Sequence, residues 1–577
     1  MEYRAPERDA YFLMFELFRV QDLWPQIPAF ADFSEDLIQA VIAEGARLTS
    51  EAIAPTNAPG DEQGCEWNDG EVTTPQVFKT AYAEIAQGGW LGLAGNPEHG
   101  GQGMPKMLAG LVEEMLWAAN TSLYLYGTLT VGTCVCIDTH GTPEQKATYL
   151  PKLYSGEWGG AMALTESHAG TDLGIMRAKA EPQGDGSYKI SGTKIFITSG
   201  EHDLVENIVH LALAKLPDAP PGSKGISLFI VPKYLPDENG RLGERNDWAS
   251  GSLEHKMGIR GSATSVINYD GATGFLLGKE NQGLAAMFTM MNYERLSVGL
   301  QGLGSGEAAY QLASSYARDR IQGRSPEGAQ NPSAAADSLL VHPDVRRMLL
   351  TQRAYNEAGR AFAMFVAMQL DLAKYHDDVQ AQTLSELLTP VAKAMLSDKG
   401  FEGAVLAQQV FGGHGYVREW GVEQLVRDAR IAQIYEGTNG VQALDLIGRK
   451  TLRDGGVTLR KFVDDMAQSE VADEHQADLN DALDRLVRVT AYVVEHAADD
   501  VNLPGAASTE FLELLGLTIY AWLWARMVAA APSDDFGDAK RMTAQFFFAR
   551  LLPRTQGLEA SICSSADAVM AMPADLF

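Results

Sequence analysis

The chain has 577 residues, too many for one hydrophobic core, and the length suggests about three to four domains. Hydrophobic residues make up 46% and charged residues 21%, an ordinary globular composition. With 46 Lys and Arg against 75 Asp and Glu, the net charge is −29, which argues against nucleic acid as a partner because neutralising phosphates takes clustered cations.

Residues 1–35 mix aromatic and acidic side chains (Tyr11, Phe12, Phe15, Phe18, then Asp32 and Phe33). They read as an N-terminal arm, helical in part and packed on another element. Glu2, Glu7, Asp9 and Glu16 interrupt any basic start and apolar core of a signal peptide. Four cysteines, Cys65, Cys134, Cys136 and Cys563, form no paired CxxC set, so no metal site is expected. So few in a long chain suggest a reducing compartment, and a cytoplasmic location is expected.

Residues 36–158 read as a helical domain. Leu37, Val41 and Ile42 share one face at helical spacing, as do Phe78, Tyr82 and Ile85. Residues 55–74 read as a polar loop, and the seven glycines of 88–105 as a long structured turn. Residues 141–151 carry the Thr-Pro-Glu pattern of a capped helix start. Residues 159–285 read as an antiparallel β domain with strands over 161–166, 188–198, 208–216 and 225–234. In the last of these, Ile226, Leu228 and Ile230 alternate as in a half-buried strand. Residues 286–450 return to helix, over 287–322, 344–376 and 385–411, with 323–342 a loop. Residues 451–577 form an additional C-terminal helical domain. Within it, 461–500 is acidic and reads as solvated helix, and 511–530 is apolar enough to require burial. The most apolar run, 514–525, is bracketed by Glu513 and Arg526 at about twelve residues, short of a spanning helix, so a buried helix is expected there rather than a membrane contact. The fold class is therefore α+β multidomain, helical, then β, then helical twice. Alternating βα units are absent, and no GxGxxG follows an expected strand.

Six stretches carry chemistry. RDARIAQIYEGTNG, residues 427–440, sets Glu436 behind the apolar Ala432, Ile434 and Tyr435 and before Gly437. A partly desolvated carboxylate there would suit a general base; a surface Glu before a glycine cap is the plainer reading. AMALTESHAGTD, 161–172, and KIFITSG, 194–200, offer small residues, hydroxyls and the flat ring of Phe196, suited to a planar cofactor or simply to strand ends. ARDRIQGR, 317–324, holds Arg318, Arg320 and Arg324, a fork for pyrophosphate or a complement to a helix dipole. QQVFGGHGY, 408–416, allows close backbone approach, with His414 a ligand, a base or a loop residue. NYERLSVG, 292–299, offers a second carboxylate, Glu294, beside Arg295.

Together, at this spacing and over residues 36–450, these stretches resemble the acyl-CoA dehydrogenase family. The arm and the appendix resemble its larger subfamily with a C-terminal helical extension, which includes long-chain enzymes and the group acting on 3-methylmercaptopropionyl-CoA; the chain is similar to that group. The resemblance implies FAD as cofactor. Met162, Leu164, Thr165, Gly170 and Thr171 match flavin contacts, with Thr171 where Ser is commoner. Phe196, Ile197 and Thr198 match a Trp-Ile-Thr lining the isoalloxazine. Arg320 and Gln322 match residues holding the pyrophosphate, often of a neighbouring subunit, although the usual Phe after them is missing. Gln409 and Gly413 match a second inter-subunit contact, and Thr438 and Asn439 lie by the FAD phosphates. Glu436 matches the catalytic base. Glu294 stands where a minority of members place theirs, and is taken as structural here. Arg295, Thr171 and Gly437 match positions near the acyl-CoA.

The implied reaction is α,β-dehydrogenation of an acyl-CoA thioester. The base takes the α-proton, the β-hydride goes to the flavin, and the thioester carbonyl is held by a flavin hydroxyl and the backbone N–H of the base. An electron-transfer flavoprotein then reoxidises the enzyme. Inter-subunit contacts imply a homo-oligomer, expected to be a dimer. An oxygen-using acyl-CoA oxidase and a non-catalytic acyl-CoA-binding scaffold are the alternatives.

Overall fold

Residues 3–237 and 239–577 are described by the computed structural model. The chain divides into two units, one built from Arg47–Pro105 and Ala119–Ser297, the other from Tyr3–Ala46, Lys106–Ala118 and Val298–Phe577.

In the first unit, helix Gln76–Gln87 buries Phe78, Ala81, Tyr82 and Ile85 at the expected spacing. Helix Pro143–Tyr154 starts on a capping box, with Thr142 and Gln145 each bonding the other's backbone N–H. The expected loop at 55–74 is instead a short helix, Asn57–Gln63, and a hairpin of Glu66–Asn68 with Glu71–Thr73. Asp69 and Gly70 turn the hairpin in left-handed conformations, φ 48° and 92°. An Asp-Gly pair between short strands is the signal of such a turn, hidden here by polar strand residues.

The main sheet of this unit has seven strands among the described residues. Thr264–Leu276, Tyr188–Thr198, Lys179–Pro182, Asn207–Lys215 and Ile226–Pro232 close a ring, with Trp248–Leu253 and Trp158–Ala163 added outside it. Most pairings are antiparallel, as expected. Trp158–Ala163 and Asn207–Lys215 run parallel, which corrects the all-antiparallel expectation. The excursion through residues 164–206 supplies the crossover that parallel pairing needs. Strand Ile226–Pro232 is buried along its whole length, not half-buried. Ile226, Leu228 and Ile230 join one core with Trp158 and Met287, while Phe229 and Val231 join another with Ile190 and Ile267. The polar-looking Ser227 is buried too, and its hydroxyl accepts the Asn281 N–H at 2.8 Å.

In the second unit, helix Glu35–Arg47 buries Ile38, Ile42, Gly45 and Ala46, while Leu37 is 39% exposed. The buried stripe runs one residue later than expected. Helices Pro343–Tyr375 and Val379–Phe411 lie at the centre of the unit. A Cβ on Gly400 would stand 1.9 Å from the Gly302 carbonyl, so the helices that carry the two glycines touch backbone to backbone there. The appendix contributes Val457–Gln468, Asp473–His496 and Leu503–Ala530. The acidic pair is not simply solvated: each buries an apolar stripe, Leu459, Phe462, Val463 and Met466 in one and Leu479, Leu486 and Val493 in the other. Leu503–Ala530 is long and apolar enough to cross a membrane, yet 89% of its most apolar window is buried within the fold. Trp524 Nε1 donates to the Ala354 carbonyl at 3.2 Å, and Gly516 lies against Met395. The N-terminal arm is partly helical and packs as expected, with Phe12 on Phe536 and Phe30 on Tyr375.

Asp371 ties helix Lys106–Ala119 into this unit by accepting the N–H groups of Lys106 and Met107, at 2.8 and 3.0 Å. Burial pushes its carboxyl up to about 7, against those bonds. A folded-state value above the unfolded one means stability that is full at low pH and is lost as pH rises toward about 7. Asp371→Asn is therefore expected to flatten the fall in unfolding midpoint between about pH 4 and pH 7, read by thermal melts in matched buffers.

Candidate active site

The first unit carries one group of the candidate residues. Strand Tyr188–Thr198 ends in two left-handed non-glycine residues, Phe196 at φ 60° and Ser199 at φ 57°. Such conformations cost roughly 1–3 kcal/mol each and persist only where the surroundings enforce them. Here the break leaves the Phe196 ring 60% exposed while Ile197 stays buried and Thr198 half-buried. The Ile195 N–H donates to the Thr165 carbonyl at 2.9 Å, which joins this strand end to the 162–172 segment. Lys194, fully buried, donates to the Leu164 carbonyl and to Glu166, both at 2.9 Å. Glu166 also accepts the N–H groups of Arg177 and Ala178, at 2.7 and 2.9 Å. Burial opposes charge on Glu166, but Lys194 and the two N–H groups outweigh it and hold its carboxyl below the usual range. Met162 and Thr165 are half-buried, Leu164 is buried, and Gly170 and Thr171 stand exposed at the tip.

Glu294 is buried in the same unit. Thr128 donates to its Oε2 at 3.3 Å and shares a 2.7 Å bond with Ser297. A Cβ on Gly132 would lie 2.4 Å from Glu294 Oε1, so glycine there makes room for the carboxylate. Arg295 is buried, with Nη1 3.4 Å from Asn292 Oδ1 and its guanidinium 5.9 Å from the Phe288 ring centre. Neighbours on a helix point about 100° apart, so Glu294 and Arg295 leave the helix in different directions.

The second unit carries Glu436. Helix Val422–Arg430 stops six residues before it, and a tight turn, Ile431–Gln433, follows. Glu436 then sits in the link to helix Asn439–Leu444, at φ 58°, with Gly437 at 81°. It is thus not a carboxylate at a helix C-terminus ahead of a glycine cap, but a half-buried side chain on a left-handed turn between two helices. Gln442 Nε2 donates to the Glu436 carbonyl at 3.1 Å and to the Gly437 carbonyl at 3.3 Å. Lys393 Nζ donates to the Gly437 carbonyl at 2.9 Å and to Asn439 Oδ1 at 2.8 Å. Asn439 Nδ2 donates to Asp398 at 2.6 Å, and Gln433 does so at 2.6 Å as well. Burial raises the Asp398 carboxyl, partly offset by these two donors. Tyr435 donates its hydroxyl to Gln301, and Thr438 caps the following helix through the Val441 N–H at 3.2 Å.

Arg320, Gln322, Gln409 and Gly413 all stand exposed on this unit. The Arg320 carbonyl accepts the Leu339 N–H and the Gln322 N–H donates to Asp337, both at 2.9 Å, which pins the loop and leaves both side chains outward. Arg324 is spent inside the loop on Asp337 and the Asn331 and Ala334 carbonyls, and Arg318 on Ser314. Of the three exposed arginines, Arg320 is the one whose side chain has no hydrogen bond or ion pair among the described residues. His414 is a loop residue, stacked on Trp420 at 4.3 Å and bonded to the Tyr316 hydroxyl at 2.9 Å.

Family models for the acyl-CoA dehydrogenase N-terminal, middle and C-terminal domains match residues 39–157, 161–272 and 281–452, and an acetyl-CoA dehydrogenase C-terminal-like model matches 458–573. The chain is 42% identical over 591 residues to the 3-methylmercaptopropionyl-CoA dehydrogenase of Ruegeria pomeroyi, covering 99% of each. The chain belongs to the acyl-CoA dehydrogenase family. It is also 34% identical, over 96% of each chain, to the broad-specificity linear acyl-CoA dehydrogenase FadE5 of Mycobacterium tuberculosis. The FAD-complexed acyl-CoA dehydrogenase structure from Bacillus anthracis superposes with a TM-score of 0.75 over 96% of this chain and 91% of that one, at 20% identity, a likeness of fold.

Members of this family are FAD-dependent oxidoreductases, and the first unit's residues fit such a group. An exposed aromatic ring on a strained strand end is an apolar wall facing open space. The hydroxyls of Ser199 and Thr264 are buried beside it with no hydrogen-bond partner among the described residues, and nothing fills the space a Cβ on Gly170 would take. Lys194, Glu166, Lys393, Asp398 and Gln442 were not singled out by sequence reasoning. A lysine inside an apolar helical run, as in VAKAML at 391–396, was the available signal for Lys393.

Proposed function

We propose that this chain catalyses α,β-dehydrogenation of an acyl-CoA thioester to the trans-2-enoyl-CoA, with 3-methylmercaptopropionyl-CoA its preferred substrate. The similarity to the Ruegeria pomeroyi enzyme over nearly the whole chain supports that choice. The observation that carries the mechanism is Glu436, a half-buried carboxylate locked in a left-handed turn. A thioester α-proton is too weak an acid for a carboxylate in water, so the base needs a fixed position and partial desolvation. Glu436 takes the α-proton on a carboxylate oxygen. Its backbone N–H donates to the thioester carbonyl and stabilises the developing enolate, a contribution that typically amounts to about a hundredfold in rate or more. FAD, when bound, supplies the two-electron acceptor. Phe196, Ile197 and Thr198 wall its ring system, with Met162, Leu164, Thr165, Gly170 and Thr171 along the adjoining segment. Arg320 and Gln322 hold the FAD pyrophosphate of a neighbouring subunit in a homodimer, Gln409 and Gly413 make a second inter-subunit FAD contact, and Thr438 and Asn439 lie by the phosphates. Arg295, Thr171 and Gly437 orient the substrate. Glu294 is structural.

The test is steady-state turnover over a panel of thioesters, from butyryl-CoA to long-chain acyl-CoA and including 3-methylmercaptopropionyl-CoA, with either electron-transfer flavoprotein or oxygen as acceptor. We expect the highest kcat/KM for 3-methylmercaptopropionyl-CoA and turnover that requires the flavoprotein. Hydrogen peroxide formed in step with enoyl-CoA would make the protein an oxidase, and absence of enoyl-CoA with every thioester would make it a scaffold.

A further inference from the structure

We infer that Lys393 and Gln442 are positioning residues for the base, holding the carbonyls of two consecutive left-handed residues, Glu436 and Gly437, and thereby fixing where the Glu436 carboxylate points. The inference rests on the reading of Glu436 as the base.

A left-handed residue turns its carbonyl away from the partners a helix or strand would give it, and a carbonyl drawn out of water needs another donor. The turn solves this with side chains. Gln442, one turn into the next helix, reaches back to both carbonyls, at 3.1 and 3.3 Å. Its own Oε1 is buried with no hydrogen-bond partner among the described residues, so its amide is oriented by what Nε2 reaches and not by the acceptor side. Lys393 approaches from helix Val379–Phe411 and places its ammonium 2.9 Å from the Gly437 carbonyl.

Neither group is there for packing. Lys393 is fully buried, and a buried ammonium is costly unless paired, where a hydrocarbon of the same length would carry no such cost. The ammonium donates to this turn, to the Gly437 carbonyl directly and to Asn439 Oδ1 at 2.8 Å. Asn439 in turn donates to the Asp398 carboxylate at 2.6 Å, so one amide links the ammonium to a carboxylate. Gly437 completes the arrangement. It sits at φ 81°, and a Cβ on it would come 2.7 Å from Gln442 Nε2. A side chain at 437 would displace the donor that holds the carbonyl of the base.

The consequence is a division of labour: Glu436 moves the proton, and Lys393 and Gln442 set its geometry without touching substrate. Misplacing a reacting group by about 1 Å costs about a hundredfold in rate. Loss of either donor should therefore lower the chemical step and leave thioester binding nearly intact.

The experiment is anaerobic stopped-flow mixing of the flavin-loaded enzyme with butyryl-CoA and with 3-methylmercaptopropionyl-CoA. Lys393→Met, Lys393→Arg, Gln442→Met and Glu436→Gln are run beside the wild type, with amide hydrogen exchange of residues 434–440 followed in each. For Lys393→Met and Gln442→Met we expect limiting bleaching rates lower by about ten- to a hundredfold. The thioester Kd and flavin content should stay within about threefold of wild type, and exchange across 434–440 should be faster. Lys393→Arg, which keeps a cationic donor, should recover most of the rate.

Wild-type limiting rates in both methionine variants would overturn the inference. So would a rate loss matched by an equal loss of flavin or thioester binding, or exchange that does not change. If Lys393→Met does not fold, Gln442→Met is judged by the same criteria. A Glu436→Gln enzyme that bleaches at the wild-type rate would remove the base reading alone, and the exchange data would still decide whether the two side chains hold the turn.

Discussion

Glu436→Gln should bind flavin and thioester as the wild type does and yet lose the reductive step, by about 10²- to 10⁴-fold in limiting rate, the range a general base supplies. The amide is nearly isosteric with the carboxylate, so the left-handed turn and its bonds from Gln442 and Lys393 are retained. What disappears is the carboxylate that takes the proton in this reading. A loss confined to the limiting rate, with the thioester Kd unchanged, is the signature of an interaction made in the transition state alone. Glu294→Gln is the comparison. Glu294 is buried among Thr128, Gly132 and Ser297, and its amide can still accept the Thr128 hydroxyl. Its limiting rate should remain within about threefold of wild type, since no reacting proton is assigned to it. The reverse pattern, with Glu294→Gln inactive and Glu436→Gln active, would move the base to the earlier helix.

The largest loss of stability should come from Arg360→Met. Arg360 is buried at the centre of the second unit and donates to three carboxylates: Glu114 at 2.6–2.9 Å, Glu307 at 3.0 Å and Asp9 at 2.5 Å. Lys540, also buried, pairs with Asp9 and with Glu357. The cluster thereby binds the N-terminal arm to helices Pro343–Tyr375 and Asp535–Phe546. Methionine fills the volume but leaves three buried carboxylates without their guanidinium, and breaking a buried pair in this way typically costs about 3–5 kcal/mol. Burial already pushes Glu114 up to about 7, against the pull of Arg360. Without the arginine that value rises further, so the folded variant holds protons that the unfolded chain releases. Stability so gained is present at low pH and lost as pH rises through the folded value. The deficit of Arg360→Met in denaturant unfolding should accordingly be larger at about pH 8 than at about pH 6, and adding Glu114→Gln should recover part of it. A deficit below about 1 kcal/mol, or one independent of pH, would mean that the cluster is solvated in solution.

Local patterns carried the helical parts of this fold well. The capping box at Thr142, the Phe78–Tyr82–Ile85 stripe and the burial of Leu503–Ala530 all follow from interactions within a few residues along the chain. Features that depend on distant partners were hidden. Strand Ile226–Pro232 looks half-buried until a second core covers its other face, and the parallel pairing of Trp158–Ala163 depends on a strand more than forty residues away. The candidate site divides the same way. Glu436 and Phe196 stood out as residue types in apolar settings, but their left-handed backbones did not, because nothing in a non-glycine residue announces positive φ. Lys393 was legible only as a lysine out of place in an apolar helix; its target, the Gly437 carbonyl, is supplied by the tertiary fold.

The measurement that tests the central claim most directly is anaerobic mixing of the flavin-loaded protein with 3-methylmercaptopropionyl-CoA, following the oxidised flavin band and the thioester product together. Bleaching of the band with formation of one enoyl-CoA per flavin is the expected result. A band that persists while the thioester is bound and recovered unchanged would contradict dehydrogenation by this chain.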